Sequence, residues 1–512
     1  MNTPPPVPGP HPTPPRTTAP GHTQTPPHNQ SQRPPLPPLP PLAGGEEGPT
    51  HLHPLLSTTL TALSTGTKAR NGPLPAGGPT STAAQLRTAA HPVLPDTGTG
   101  PHEALRTLVT ALAAGAADPA HPHCAAHLHC PPLAMAVAAD LAASALNPSM
   151  DSWDQAPAAS ALEESVTSAL AAEFYPDRPA PDALVTTGGT ESNQLALLLA
   201  RETHAHQGPV QLVVGANAHH SLARAAWLLG LPEPVVVPAS SGTLDLAALD
   251  EALTHLHGPS PSSRLRSTRG YPILVAATAG TTDTGQIDPL PEIADLCEHH
   301  GADLHIDAAY GGPLLFSPTR RPLLSGLDRA RTLTVDLHKL GWQPVAAGLL
   351  VVADTTALAP LDHRADYLNA DDDTEAGLPD LLGRSLRTTR RPDVLKTAVT
   401  LKALGRTGLA ELVDRTCDAA HHLADLIAKH PGLELYDRPT LSTVLFRPTH
   451  ATDDSVATTR RHLLTQGRAV LGRAHADGHL WFKATLLNPH TTLQDLTSLL
   501  TLVLAEHAAA TP

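Results

Sequence analysis

The sequence predicts an α/β protein built on a mainly parallel sheet, with a helical segment before it and a small α+β domain after it. Three observations carry that prediction. Short apolar runs recur through the middle of the chain with helix-like segments between them. The runs are mostly continuous, not alternating, as expected of strands covered on both faces. Beyond residue 400 the order changes to helices separated by short strands, which fits a separate, smaller unit.

In chain order, residues 1–50 hold 18 of the 55 prolines, as in "TPPPVPGPHPTPP" and "RPPLPPLPPL". Such a segment buries too little apolar surface to offset its ordering entropy, so a disordered tail is expected. Its PxxP patterns would suit an SH3-like domain, the basis of a competing reading as a non-catalytic interaction protein. Residues 51–130 turn helical in "HLHPLLSTTLTALSTG" and "PHEALRTLVTALAAGAA". From 131 to 402 extends the large domain. It opens with the helix-like "PPLAMAVAADLAASALN" and "SALEESVTSALAAEFY", whose apolar residues recur at three- and four-residue spacing. The strand candidates follow: "QLVVG" (211–215), "PVVVP" (234–238), "PILVAAT" (272–278), "DLHID" (303–307), "TLTVD" (332–336) and "GLLVV" (348–352). Helices "LARAAWLLG" and "LPEIADLCEHHG" lie between them. Residues 403–510 form the C-terminal domain, with two helices, "LADLIAKH" and "TTLQDLTSLLTLVLAEHA", and strands "STVLFRP" and "HLWFKATLLNP".

Composition narrows the function classes. A net charge of −14 over 512 residues argues against a nucleic-acid partner. The N-terminus has no apolar core of signal-peptide length, and no uninterrupted apolar run is long enough to span a bilayer. Four cysteines make no disulfide framework. A soluble cytoplasmic protein is expected. "HPHCAAHLHC" (121–130) suggests zinc at first sight, but the chain has 31 histidines throughout. A zinc finger also needs a second ligand pair held apart by a longer loop. No metal is expected.

Three features stand at the ends of predicted elements, where α/β folds build sites. In "TTGGTESNQLALLLAR" (186–201), Gly188 and Gly189 lead into a helix with Thr190 at its start. Free N–H groups and the positive helix end make a phosphate seat there, although an unliganded helix start has the same look. The pattern is neither GxGxxG nor a P-loop. In "HIDAAYGG" (305–312) an acid ends an apolar strand, and small residues after it leave room for a flat group. In "TVDLHKLGWQP" (334–344), Lys339 lies just past a buried strand. A lysine pressed against a sheet end is desolvated, which favours a nucleophilic amine. Together, phosphate seat, acid and lysine are the parts a pyridoxal 5′-phosphate (PLP) enzyme needs.

With these parts in place, the chain resembles the group II PLP-dependent amino-acid decarboxylases, and most of all the bacterial branch acting on L-2,4-diaminobutyrate or lysine, the latter in siderophore biosynthesis. The likeness runs from about residue 120 to 505. It rests on "HCAAHLHCP", "ALNPSMDSWDQ", "TTGGTESN", "AHHSLARAAWLLG", "ATAGTTDTGQIDPL", "HIDAAYGG", "VDLHK", "RSLRTTRRPDVLK", "LSTVLFR" and "FKATLLNP". The resemblance implies the PLP-dependent transferase fold (fold type I). It also implies a homodimer whose residues 51–130 embrace the partner, and decarboxylation of an L-amino acid. The substrate expected from the branch is a diamino acid: 2,4-diaminobutyrate, lysine or ornithine.

Carried over by position, Lys339 would form the Schiff base and Asp307 would face the pyridine nitrogen. His219 would stack on one ring face and Ala309 on the other, with Thr278 beside the cofactor. Gly189, Thr190 and His338 would hold the phosphate, and His220 would be a bystander. "HPHCAAHLHC" would help wall the substrate cleft, with His127 and His129 as pocket residues.

The chain departs from the family in three places. Many relatives carry a loop tyrosine that reprotonates the carbanion. In "DYLNADDDTEAGLPDLLGRSLRTTRR" the single tyrosine is Tyr367, at its start, so His219 and Lys339 become the candidate donors. Many relatives have Asn in place of Asp336, and bulky residues near 119–125 are missing. Glutamate or aromatic amino acids are the alternative substrates. An aminotransferase or aldehyde synthase on the same scaffold is the alternative reaction.

Overall fold

In a computed structural model of the chain, the described residues are 39–240, 242–257, 271–362, 372, 375–378 and 381–510. Most of the Pro-rich segment, and Tyr367, lie outside them. Three helices come first: α1 (Gly48–Arg70), α2 (Gly78–Ala90) and α3 (Pro101–Gly115). The helix thus begins inside the span assigned from composition to the tail. Gly66 lets α1 and α3 approach closely, since a methyl there would stand 2.4 Å from the Thr110 carbonyl oxygen.

A two-residue strand follows, β1 (Cys124–Ala125), then α4 (Ala134–Leu146), α5 (Pro157–Phe174), β2 (Asp182–Thr186) and α6 (Gly189–Thr203). Next in order are β3 (Gln211–Gly215), α7 (His220–Leu228), β4 (Val235–Val237), α8 (Leu246–His257) and β5 (Ile273–Thr278). Then come α9 (Leu290–His300), β6 (Asp303–Asp307), β7 (Thr332–Asp336) and β8 (Gly348–Val352). Strands β2 to β8 form one seven-stranded sheet, ordered β2-β8-β7-β6-β5-β3-β4. Its ladders are parallel from β4 through β7. Strand β8 alone runs antiparallel, to both β7 and β2. The sheet is therefore mainly parallel, and every strand except β8 points its carboxyl end at the same edge.

The continuous apolar runs have a direct cause. Along β3 and β5 alternate residues enter different clusters: Val213, Ile273 and Val275 join one, while Leu212, Val214, Leu274 and Ala276 join another on the opposite face. A strand covered on both sides has no polar face to show.

The remainder comprises α10 (Val394–Lys429), β9 (Leu433–Leu435), β10 (Thr443–Pro448), α11 (Asp453–Thr465), β11 (Val470–Ala476), β12 (His479–Thr485) and α12 (Leu493–Ala510). "LADLIAKH" is thus the end of a 36-residue helix, interrupted at Gly405, where φ is 59° and ψ −172°. The sequence-based division at 402/403 falls inside this helix. Three helices occupy this part, not two. A second sheet has the order β1-β11-β12-β10-β9, with its own apolar core built on Leu423, Phe446, Phe482 and Val503. Strand β1, from the histidine-rich stretch, is its edge and pairs parallel with β11. Among the described residues no helix is long and apolar enough to cross a membrane.

Candidate active site

The eight residues assigned to catalysis and cofactor binding in the sequence meet at one place. Gly189, Thr190, His219, Thr278, Asp307, Ala309, His338 and Lys339 line a single cleft of about 310 Å³ at the carboxyl edge of the large sheet. The parallel strands bring them there: Thr278 ends β5, Asp307 ends β6, and His338 and Lys339 follow β7. Gly188 and Gly189 turn the chain from β2 into α6. This turn leaves no room for side chains. A methyl on Gly188, whose φ is +149°, would sit 2.8 Å from the His338 ring. One on Gly348, in the neighbouring strand, would sit 2.5 Å from the Gly188 Cα.

Asp307 is 5% exposed, and two donors fix its carboxylate. Asn193 Nδ2 donates to Oδ2 at 2.8 Å and the Ala309 N–H to Oδ1 at 3.1 Å. Asn193 also donates to Ser221 Oγ at 2.8 Å and accepts from Thr334 Oγ1 at 2.7 Å. Its Oδ1 lies 3.0 Å from His305 Nε2, so that nitrogen must carry a proton. Burial pushes the His305 imidazole down to about 4, which keeps it neutral. The same network reaches His219. The Ser221 N–H donates to His219 Nδ1, and Ser221 Oγ lies 2.7 Å from that nitrogen. The proton of neutral His219 is therefore on Nε2. Burial holds the His219 pKa below the usual imidazole range, against the opposing pull of Asp307.

Asn193, Ser221 and His305 were not selected from the sequence, although each lies within a quoted motif. The spacing could have pointed to Asn193: it stands four residues after Gly189 on α6, so both face the same way.

Lys339 does not meet a bare sheet end, as its sequence position suggested. Its Nζ forms an ion pair with Asp336 Oδ2 at 2.8 Å. His338 donates from Nδ1 to the Ala347 carbonyl at 2.9 Å, and its Nε2 lies 3.6 Å from Asp336. The histidine-rich stretch contributes Leu128 to the cleft. His127 and His129, expected in the pocket, are instead exposed. Among the described residues no group of three or more His, Cys, Asp or Glu side chains is arranged to hold a metal.

The "RSLRTTRR" segment is pinned through four arginines. Arg384 pairs with Asp182, Arg387 with Glu191, Arg390 with Glu163 and Arg391 with Asp140. Glu191 lines the cleft and also accepts from the Thr187 N–H at 2.6 Å. The Arg390–Glu163 pair is buried and bidentate, with both contacts at 2.6 Å. Arg390→Ala should therefore lower stability by about 3–5 kcal/mol, because Glu163 is left as an uncompensated buried charge. Urea denaturation of the two proteins measures this, and the double variant Arg390→Met/Glu163→Leu should recover much of the loss.

The cleft fits a phosphorylated aromatic cofactor. It offers a helix N-terminus opened by two glycines, a buried acid, and an amine. It also holds two buried oxygens that lack hydrogen-bond partners among the described residues, Thr278 Oγ1 and Asp336 Oδ1.

Comparison with known proteins agrees. Residues 101–449 match the pyridoxal-dependent decarboxylase conserved domain. The chain is 41% identical to an L-2,4-diaminobutyrate decarboxylase of Rhizobium meliloti (strain 1021), over 78% of this chain and 80% of that one. It is 33% identical to an Acinetobacter baumannii enzyme of the same name, over 75% and 80%. Among solved structures it superposes on the glutamate decarboxylase domain of diaminobutyrate-pyruvate transaminase and L-2,4-diaminobutyrate decarboxylase from Vibrio parahaemolyticus. The TM-score is 0.78 and the identity 32%, covering 91% of this chain and 98% of that one.

Proposed function

The chain belongs to the pyridoxal-dependent decarboxylase family and is a PLP-dependent amino-acid carboxy-lyase; from that premise we propose that its substrate is L-2,4-diaminobutyrate, giving 1,3-diaminopropane and carbon dioxide. The observation that carries the substrate is the 41% identity to a relative of that activity over most of both chains. The site residues support the reaction type.

Bound PLP supplies the electron sink for the pair released when carbon dioxide leaves. The protein positions it. Lys339 is the amine that would hold the cofactor's aldehyde carbon. Asp307, oriented by Asn193 and the Ala309 N–H, would face the pyridine nitrogen and keep it protonated. His219 would cover one ring face and Ala309 the other, with Thr278 at the edge. Gly189, Thr190 and His338 would hold the phosphate at the start of α6. Decarboxylation would be favoured over transamination if the walls of the cleft orient the scissile Cα–carboxylate bond perpendicular to the cofactor ring. His219 Nε2–H and Lys339 are the groups placed to return a proton to Cα.

The test is a panel of diaminobutyrate, ornithine, lysine, glutamate, aspartate and aromatic amino acids, with carbon dioxide and keto acid measured separately. Diaminobutyrate should give the highest kcat/KM, with carbon dioxide far exceeding keto acid. Keto acid without carbon dioxide would make the enzyme an aminotransferase, and preference for glutamate would overturn the substrate.

We also infer a homodimer. Helices α1 and α3 leave Leu60 and Leu112 more than 60% exposed, an apolar surface that a second copy would cover. The four cysteines are free, which supports a cytoplasmic setting.

A further inference from the structure

The phosphate seat contains an acid where an anion is to be held. Asp336 ends β7 and is 2% exposed. Both of its oxygens face the glycine turn: a methyl on Gly189 would lie 3.2 Å from Oδ2, and one on Gly188 3.5 Å from Oδ1. That turn opens the fifteen-residue helix α6, whose free N–H groups attract anions. Oδ1 is buried and accepts no hydrogen bond among the described residues.

The charges around it do not resolve the conflict once a phosphate arrives. Lys339 is the counter-charge of Asp336, but its amine is the group that attaches the cofactor. His338 spends its Nδ1 proton on Ala347, so its Nε2 is a donor only as imidazolium. His219, at the start of α7, has a lowered pKa. Asp307 on β6 and Glu191 in the first turn of α6 add negative charge, and Glu191 is already held by Arg387. A phosphate dianion would thus share its seat with a carboxylate. One proton removes the repulsion. A phosphate monoester has its second pKa near 6, and its protonated form carries the P–O–H donor that Asp336 Oδ1 lacks.

We propose that Asp336 makes this seat take the cofactor's phosphate with one proton shared between phosphate and carboxylate. Binding the dianion from solution therefore takes up a proton. This rests on the reading of the cleft as a PLP site.

The test is ³¹P NMR of the PLP-loaded enzyme between pH 6 and 9, with cofactor affinity measured by absorbance titration over the same range. In the wild type the bound phosphate should keep its monoprotonated shift at pH 8, and in Asp336→Asn it should move to the dianionic position. Affinity in the wild type should fall more steeply with pH than in Asp336→Asn, by up to about tenfold per unit above about pH 6. Steps common to both proteins, including attachment at Lys339, cancel in that difference. A dianionic shift in the wild type throughout, or equal pH slopes in the two proteins, would overturn the proposal. A proton taken up by His338 instead gives that dianionic shift. If the variant fails to fold, the wild-type ³¹P titration decides alone. Absence of any visible cofactor band with PLP in excess would overturn the cofactor reading itself, and the proposal with it.

Discussion

Lys339→Ala, purified with excess PLP, is expected to lose decarboxylation by at least about a thousandfold. It should also carry no cofactor after borohydride reduction. The expectation follows from position: Lys339 is the lysine that lines the cleft. The substitution also leaves Asp336, 2% exposed, without its ion-pair partner. Peptide mapping of the reduced wild type should find the label on the Lys339 peptide, and a label on any other lysine would refute the assignment. Lys339→Arg separates charge from chemistry, since it keeps a cation beside Asp336 while removing the primary amine. It should restore stability and not activity.

The second large effect is expected at Asp307. Its two oxygens each face a donor, Asn193 Nδ2 and the Ala309 N–H. An asparagine there can accept from one of them, and its own NH₂ must then confront the other. Asp307→Asn therefore loses the negative charge and buries a mismatched donor. The first should lower kcat by about 10²–10³, and the second should lower stability by about 1–3 kcal/mol. Steady-state kinetics and thermal melting of the PLP-loaded protein read the two effects separately. A variant with near-normal kcat would show that the charge of Asp307 is not used in the reaction.

The parts of the molecule legible in the sequence are those whose cause is local. Strands β3, β5, β6, β7 and β8 announce themselves because burial on both faces makes these runs mostly apolar, with polar residues confined to a few positions such as His305 and Thr334. The glycine turn and Lys339 are visible because strand ends are where α/β folds place chemistry. Helix α11 was missed because its face toward the core is narrow: Val456, Thr459 and Leu463 are its buried residues. Its start was nevertheless signalled by Thr452, whose side chain accepts from the Ser455 N–H. Strand β2, with five residues as long as β3, was hidden by the glycine turn that follows it. What could not be read were side-chain pairings: Asp336, the ion-pair partner of Lys339, stands three residues away, yet the position of Lys339 alone suggested a lysine against a bare sheet end. The partners of the four arginines lie more than a hundred residues away in sequence, and nothing local identifies them.

The edge strand formed by Cys124 and Ala125 has a consequence for how the protein is made. Its parallel ladder joins Cys124 to Val470, a separation of 470 − 124 = 346 residues. The ribosome must synthesise nearly the whole chain before that pairing is possible. Until then Ala125, which is buried in the second core, faces solvent. In the finished protein the histidine-rich stretch closes the flank of β11, so a chain begun after residue 125 would expose an open strand edge to other copies.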